Sequence, residues 1–132
     1  MRITDCVDLH AYAEKIGVQL VHHDQGPKGF YVDATRTIST RRGLSIRAYR
    51  STLAHELAHA TYRDVPTGNG HYDQRQELRA DRWAAKALIC PQAFEDAYRW
   101  HAGHMPAIAD ELEVTHHILA TWRDMTERKT PA

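Results

Sequence analysis

The hydrophobic residues of this chain indicate mainly strands before about residue 45 and helices after it. Before that point, short runs of β-branched and aromatic residues are typical of strands. A short amphipathic helix at about residues 5–16 is followed by three such runs, at 18–21, 30–32 and 36–40. We expect these runs to form a small antiparallel sheet of three strands.

Beyond residue 45 the apolar positions recur at helical spacing. Leu53, Leu57 and Ala60 predict a long helix over residues 46–62. A loop with proline and glycine follows, and small apolar residues then predict a second long helix, over residues 73–90. Shorter helices are expected at 91–103, 106–113 and 115–126. The predicted fold class is α+β, with the small antiparallel sheet packed on the pair of long helices.

The last two predicted helices have the apolar spacing of a helix-turn-helix core. Six side chains are expected to be buried together there: Ile108, Leu112, Val114, Ile118, Leu119 and Trp122. A helix that reads DNA normally exposes basic residues, whereas this one exposes mainly His116, His117, Thr121 and Asp124. A packing module or a protein-docking surface is therefore favoured over DNA binding. The expected organisation is one domain over residues 1–104, with a helical extension over 105–132 packed on the same domain.

Composition narrows the class of partner. The 132 residues include 17 Lys plus Arg and 17 Asp plus Glu, a balance that argues against broad binding to nucleic acid or to an anionic membrane. The sequence has no apolar run of about 18 residues and no secretory signal, so we expect a cytoplasmic protein with no membrane partner. Its two cysteines, Cys6 and Cys90, are expected to be reduced thiols.

The first long helix carries the candidate chemistry, in the sequence His55-Glu56-Leu57-Ala58-His59. Residues four apart lie one turn apart on the same helix face, so His55 and His59 can both direct a ring nitrogen at one metal ion. Glu56 lies at the flank of that ion, where its carboxylate can serve as the catalytic base without being a ligand.

A third ligand is expected from the second long helix. A catalytic zinc site has three protein ligands and one open position, and two histidines with a glutamate are a standard set. Glu77 is the candidate for that carboxylate. Asp81, four residues later on the same face, is expected to accept a hydrogen bond from a ligating histidine and fix its tautomer. The alternative is a solvated acidic face that pairs with neighbouring arginines.

The two segments together resemble the ImmA/IrrE family of metallo-endopeptidases. The resemblance is carried by Thr52-Leu-Ala-His-Glu-Leu-Ala-His59 and by Glu77-Leu-Arg-Ala-Asp81-Arg-Trp-Ala-Ala85, which continues to Pro91. It implies a Zn²⁺ ion held by His55, His59 and Glu77, with Glu56 as the base. It also implies an origin in phages, mobile elements or their bacterial hosts. The implied substrate is a helix-turn-helix transcriptional repressor, whose cleavage relieves repression.

Two questions stay open at this point. The tetrahedral intermediate of peptide hydrolysis needs a second hydrogen-bond donor, and His71 and Tyr72 are candidates because they lie in the predicted loop between the ligand helices. They are otherwise ordinary loop residues. The alternative function is a non-proteolytic regulator that uses the zinc fold as a scaffold and binds protein or DNA. Glu56 favours the enzyme, since a scaffold needs no base beside its metal.

Overall fold

The computed structural model describes residues 7–129, which form six α-helices and a three-stranded sheet. Cys6 and residues 130–132 lie outside that range, so the expectation for Cys6 stays a prediction. In chain order the elements are α1 (Leu9–Lys15), β1 (Gln19–His23), β2 (Gly29–Val32), β3 (Thr37–Arg41), α2 (Ile46–Tyr62), α3 (Gly70–Leu88), α4 (Pro91–Trp100), α5 (Met105–Leu112) and α6 (His116–Lys129). The α+β class is confirmed.

The sheet is mixed, so the prediction of a purely antiparallel sheet is wrong. Its strand order is β1-β3-β2, with β2 antiparallel to β3 and β1 parallel to β3. A single 3-10 turn, Asp33–Thr35, joins β2 to β3 and makes them pair as neighbours. Because β3 carries the sheet's most buried side chains, it takes the central position and β1 pairs with its other edge. Strand β1 runs in the direction opposite to β2, and it is therefore parallel to β3.

The two long helices begin at side-chain caps. Ser45 accepts a hydrogen bond from the backbone N–H of Ala48, and α2 spans the residues that the sequence predicts. Asn69 accepts from the N–H of Tyr72, so α3 begins at Gly70, three residues before its predicted start. The predicted placement of His71 and Tyr72 in a loop is therefore wrong, because both lie in the first turn of α3.

One hydrophobic core joins the N-terminal and C-terminal helices. Helix α2 packs against the sheet and α3, and α6 packs against α3. All six apolar side chains predicted for the helix-turn-helix-like pair are buried, which confirms that expectation. They belong to the same core as Leu57 and Leu88. The division of the chain at residue 104 stays a prediction. Among the described residues, every helix is too short or too polar to cross a membrane.

A buried arginine fastens the C-terminal helices to α2. The Nη1 group of Arg50 donates to the carbonyl oxygens of Leu112 and Glu113, at 2.9 and 2.7 Å, where α5 ends. The last carbonyl groups of a helix cannot all be used within it, so the guanidinium stabilises this end of α5 by donating to two of them. Nearby Arg47 forms an exposed ion pair with Asp110 of the same helix.

We expect Arg50→Met to lower the free energy of unfolding by about 2–3 kcal/mol, because the two carbonyls lose a charged donor. The matched control is Arg47→Met, which removes the exposed ion pair between α2 and Asp110 of α5. It should lower the free energy of unfolding by less than about 1 kcal/mol. Urea denaturation followed by circular dichroism measures both. Equal losses in the two variants would show that Arg50 does not fasten these helices.

Candidate metal centre

Helices α2 and α3 bring together the three predicted ligands, His55, His59 and Glu77. Their ligand atoms all lie within 4.8 Å of one another. The two Nε2 atoms are 3.1 Å apart. The Glu77 carboxylate lies 2.8 Å from Nε2 of His55 and 3.1 Å from Nε2 of His59. One turn of α2 therefore aims two ring nitrogens at a single point, and α3 supplies a carboxylate to it.

Two further carboxylates set the tautomers of the histidines. Nδ1 of His55 lies 2.8 Å from Oδ1 of Asp81, and Nδ1 of His59 lies 2.9 Å from Oδ2 of Asp64. An ionised carboxylate only accepts hydrogen bonds, so each Nδ1 must carry the proton. In the neutral imidazoles both Nε2 atoms then present lone pairs, which converge with the Glu77 carboxylate. Three acceptors that face one another in this way would be stabilised by a metal ion or by a proton between them.

The spacing and chemistry of these donor atoms fit a metal ion. A tetrahedral ion with ligand distances near 2.1 Å separates its ligand atoms by about 3.4 Å, a few tenths of an ångström more than the 2.8–3.1 Å seen here. Three protein ligands would leave one position of a tetrahedral ion for water. The arrangement is thus compatible with a metal ion held by His55, His59 and Glu77.

The electrostatics of His55 reflect the same need for positive charge. Burial lowers the pKa of His55, but the hydrogen bond to Asp81 and the negative charges of Glu56 and Glu77 outweigh burial and raise that pKa to about 9. Burial also raises the pKa of Asp81, yet its hydrogen bonds with His55 and His117 leave it lowered overall. A proton on His55 and a metal ion would compete for the same Nε2 lone pair.

Glu56 lies beside the ligand cluster and is largely buried, with 8% of its surface exposed. Burial raises the pKa of its carboxyl group, an effect that the nearby His55 and His59 oppose. Glu56 lines a depression of about 410 Å³ together with all three predicted ligands. It also lines a second depression of about 420 Å³ on its other side. Gly29, His55 and Glu56 line both depressions, so the two depressions adjoin at this carboxylate, and together they are called the cleft.

Strand β2 forms one wall of this cleft and depends on a glycine for its approach to α2. A Cβ atom at Gly29 would lie 2.5 Å from Cγ2 of Thr52 and 3.3 Å from Cγ of Glu56. The first distance is shorter than a carbon–carbon contact allows. Gly29 thus lets the strand lie against the helix turn that carries Glu56.

The remaining sequence candidates, His71 and Tyr72, line neither depression. The sequence interpretation missed Asp64, which follows the left-handed residue Arg63 at the end of α2 and is turned back toward His59. It also assigned no role here to His117, whose Nε2 lies 2.8 Å from Oδ2 of Asp81. A carboxylate five residues after the motif was a weak signal for Asp64. The contact of His117 depends on how α6 packs on α3.

Residues 5–121 match the model of one protein family, peptidase M78, described as the IrrE N-terminal-like domain. The chain belongs to the peptidase M78 family. The resemblance to the ImmA/IrrE proteins seen in the sequence is thereby confirmed. No curated protein matched the sequence. In this peptidase M78 domain, the family match and the His55, His59 and Glu77 cluster together indicate a metallopeptidase-type site.

We expect Asp64→Asn to weaken binding of a divalent metal by about 10- to 100-fold, because the neutral amide no longer fixes and polarises His59. The matched control is Asp73→Asn. Asp73 lines the same depression, but it is hydrogen-bonded to Thr67 and to neither histidine. Competition with a chromophoric chelator gives both affinities. If Asp64→Asn binds metal as tightly as the parent, Asp64 does not support the site.

A second variant tests the close approach at the cleft wall. Gly29→Ala should lower the free energy of unfolding by about 1–3 kcal/mol, because the added methyl group overpacks the contact with Thr52. Adding Thr52→Ser removes the obstructing Cγ2 atom and should restore most of the loss. Thermal denaturation of the single and double variants provides the comparison. A double variant no more stable than Gly29→Ala would contradict this explanation.

Proposed function

We propose that this peptidase M78 domain is a zinc metallo-endopeptidase that hydrolyses a peptide bond in a specific protein substrate. The observation that carries the proposal is the position of Glu56, a buried carboxylate beside a His/His/Glu cluster and at the centre of a cleft. Two imidazoles and one carboxylate form a standard ligand set of catalytic zinc. When bound there, zinc supplies Lewis acidity toward the peptide carbonyl and toward water.

The protein's own groups would handle the protons. Glu56 takes the proton from the attacking water and delivers it to the leaving amine. Its pKa, raised by burial, lies nearer to neutrality than that of an exposed glutamate, which suits a group that both accepts and returns a proton. Asp81 and Asp64 hold the imidazoles of His55 and His59 in one tautomer and one orientation throughout.

We further propose that the substrate is a helix-turn-helix transcriptional repressor, cleaved in the cytoplasm to relieve repression. This identification rests on the resemblance to the ImmA/IrrE family. The competing function is a non-proteolytic zinc scaffold that acts by binding protein or DNA. Such a scaffold gives no reason for a buried base beside the ligand cluster, so the position of Glu56 favours the peptidase.

Glu56→Gln separates the two functions. Glutamine keeps the size of glutamate but takes no proton at neutral pH, so cleavage should fall by at least about a hundredfold. Metal content and thermal stability should hardly change, because Glu56 is not a proposed ligand. The measurements are an immunoblot for fragments of a repressor encoded beside the gene and a reporter under its control.

His55→Ala is the companion variant, because it removes a proposed ligand and should abolish both metal retention and cleavage. Under the peptidase proposal, both variants leave the reporter repressed. Full derepression by Glu56→Gln, with the repressor intact on the immunoblot, would overturn the peptidase proposal in favour of the scaffold.

A further inference from the structure

Helix α3 carries a basic stripe that faces away from the metal centre. Its four cations are Arg75, Arg79, Arg82 and Lys86. Their spacing of four, three and four residues confines them to a strip about 60° wide, since each residue turns the helix by about 100°. The buried alanines and the carboxylates of Glu77 and Asp81 occupy the opposite side. The balanced charge of the whole chain therefore conceals a local excess of positive charge.

The C-terminal part of this stripe forms one side of a groove of about 430 Å³ between α3, the end of α2 and α6. Two aromatic rings, three cations, one methionine and one carboxylate line this basic–aromatic groove: Tyr62, Trp83, Arg79, Arg82, Lys86, Met125 and Asp124. It is distinct from the cleft, with which it shares no lining residue.

The cations of the groove are poorly neutralised. Within residues 7–129, neither Arg82 nor Lys86 forms an ion pair. Arg79 is paired with Asp64 and lies 3.9 Å above the ring of Tyr62. Asp124 is the single carboxylate among the lining residues. The groove is thus complementary to a negatively charged ligand.

The floor of the groove adds an apolar component. Trp83 is partly buried and its ring contacts that of Tyr12, at 5.3 Å between centroids. Partly buried Met125 lies in the same groove, and Tyr62 is 42% exposed. A rigid aromatic surface beside a flexible methionine accommodates a large apolar side chain. A peptide segment that has acidic residues beside a large apolar side chain would match both the cations and the apolar surface of the groove.

The groove adjoins the proposed active site through one ion pair. Nη2 of Arg79, a groove residue, lies 2.6 Å from Oδ1 of Asp64, which lines the cleft and supports His59. A polypeptide bound in the cleft thus has the groove beside it, within reach of residues distant from its scissile bond. Such a second contact provides affinity and selectivity that a short cleft does not.

We propose that the basic–aromatic groove binds an acidic segment of the protein substrate, with an aromatic or large aliphatic side chain seated on Trp83. The assignment to the substrate rests on the proposed peptidase function. A peptide is favoured over a nucleic acid because the groove adjoins the cleft in which the proposed peptidase would hold a polypeptide, and because the chain as a whole has no net positive charge.

The test measures binding without catalysis, in the full-length Glu56→Gln protein loaded with zinc. The probe is a fluorescein-labelled, glutamate-rich peptide with a central Leu-Phe pair, followed by fluorescence anisotropy. Arg82→Glu with Lys86→Glu should weaken binding by at least about tenfold, because two attractions become repulsions. Trp83→Leu should weaken it by about threefold or more, because the aromatic surface is lost.

The matched control is Arg42→Glu with Arg99→Glu, which changes the net charge equally at exposed sites outside the groove. We expect its effect to stay below about twofold. Arg82→Gln with Lys86→Gln should give an intermediate loss if the interaction is electrostatic, and it guards against misfolding caused by charge reversal. Equal binding by the groove and control variants would overturn the proposal, as would an absence of measurable binding by the parent.

A labelled single-stranded oligonucleotide of equal charge completes the experiment. If it binds the parent more tightly than the peptide and depends on Arg82 and Lys86, the groove is a nucleic-acid site and the proposal fails. Since the assay uses an inactive protein, its failure leaves the peptidase proposal untouched. If the reporter assay overturns the peptidase proposal, the measured acidic-peptide site remains, but its ligand is a partner protein and not a substrate.

Discussion

The candidate metal centre depends on two hydrogen bonds that orient its histidines, one from His55 to Asp81 and one from His59 to Asp64. In each bond a histidine donates its Nδ1–H to the aspartate, and its Nε2 atom then faces the Glu77 carboxylate. Without these bonds the imidazoles could rotate or exchange tautomers. The two histidines and Glu77 could then form ordinary hydrogen bonds with one another. With them, the two Nε2 atoms and the Glu77 carboxylate converge in an arrangement that is compatible with a metal ion.

The fold is arranged to bring those two carboxylates to the histidines from different directions. Asp81 comes from α3, which packs against α2 through faces that contain buried alanines such as Ala58 and Ala84. Asp64 comes from the chain just after α2, where Arg63 adopts a left-handed conformation and the N–H of Asp64 bonds the carbonyl of His59. Close packing of the two helices therefore positions Asp81, and the left-handed conformation of Arg63 positions Asp64. Neither feature is chemically reactive, yet each brings a carboxylate to a histidine.

Local signals in the sequence predicted the parts of the site that lie within one helix. The bounds of α2, the common face of His55 and His59, and the shared face of Glu77 and Asp81 all follow from helical periodicity and capping. The parallel pairing of β1 with β3 did not follow, because it depends on which strand is buried in the centre. Asp64 and His117 were missed for a related reason. One depends on a backbone turn and the other on how α6 packs, and neither is encoded in a short window of sequence.

Helix α3 shows why the net charge of a chain does not describe its local surfaces. A helix sorts residues by angle, so a segment that alternates acids and bases along the chain can be acidic on one face and basic on the other. Here Glu77 and Asp81 on one face belong to the candidate metal centre, while three cations on the other face line a groove beside the cleft. The two faces are joined by Arg79 and Asp64, whose ion pair is partly exposed at the arginine and buried at the aspartate. Since Asp64 orients His59, the geometry of the proposed metal site and the charge balance of the groove depend on the same side chain.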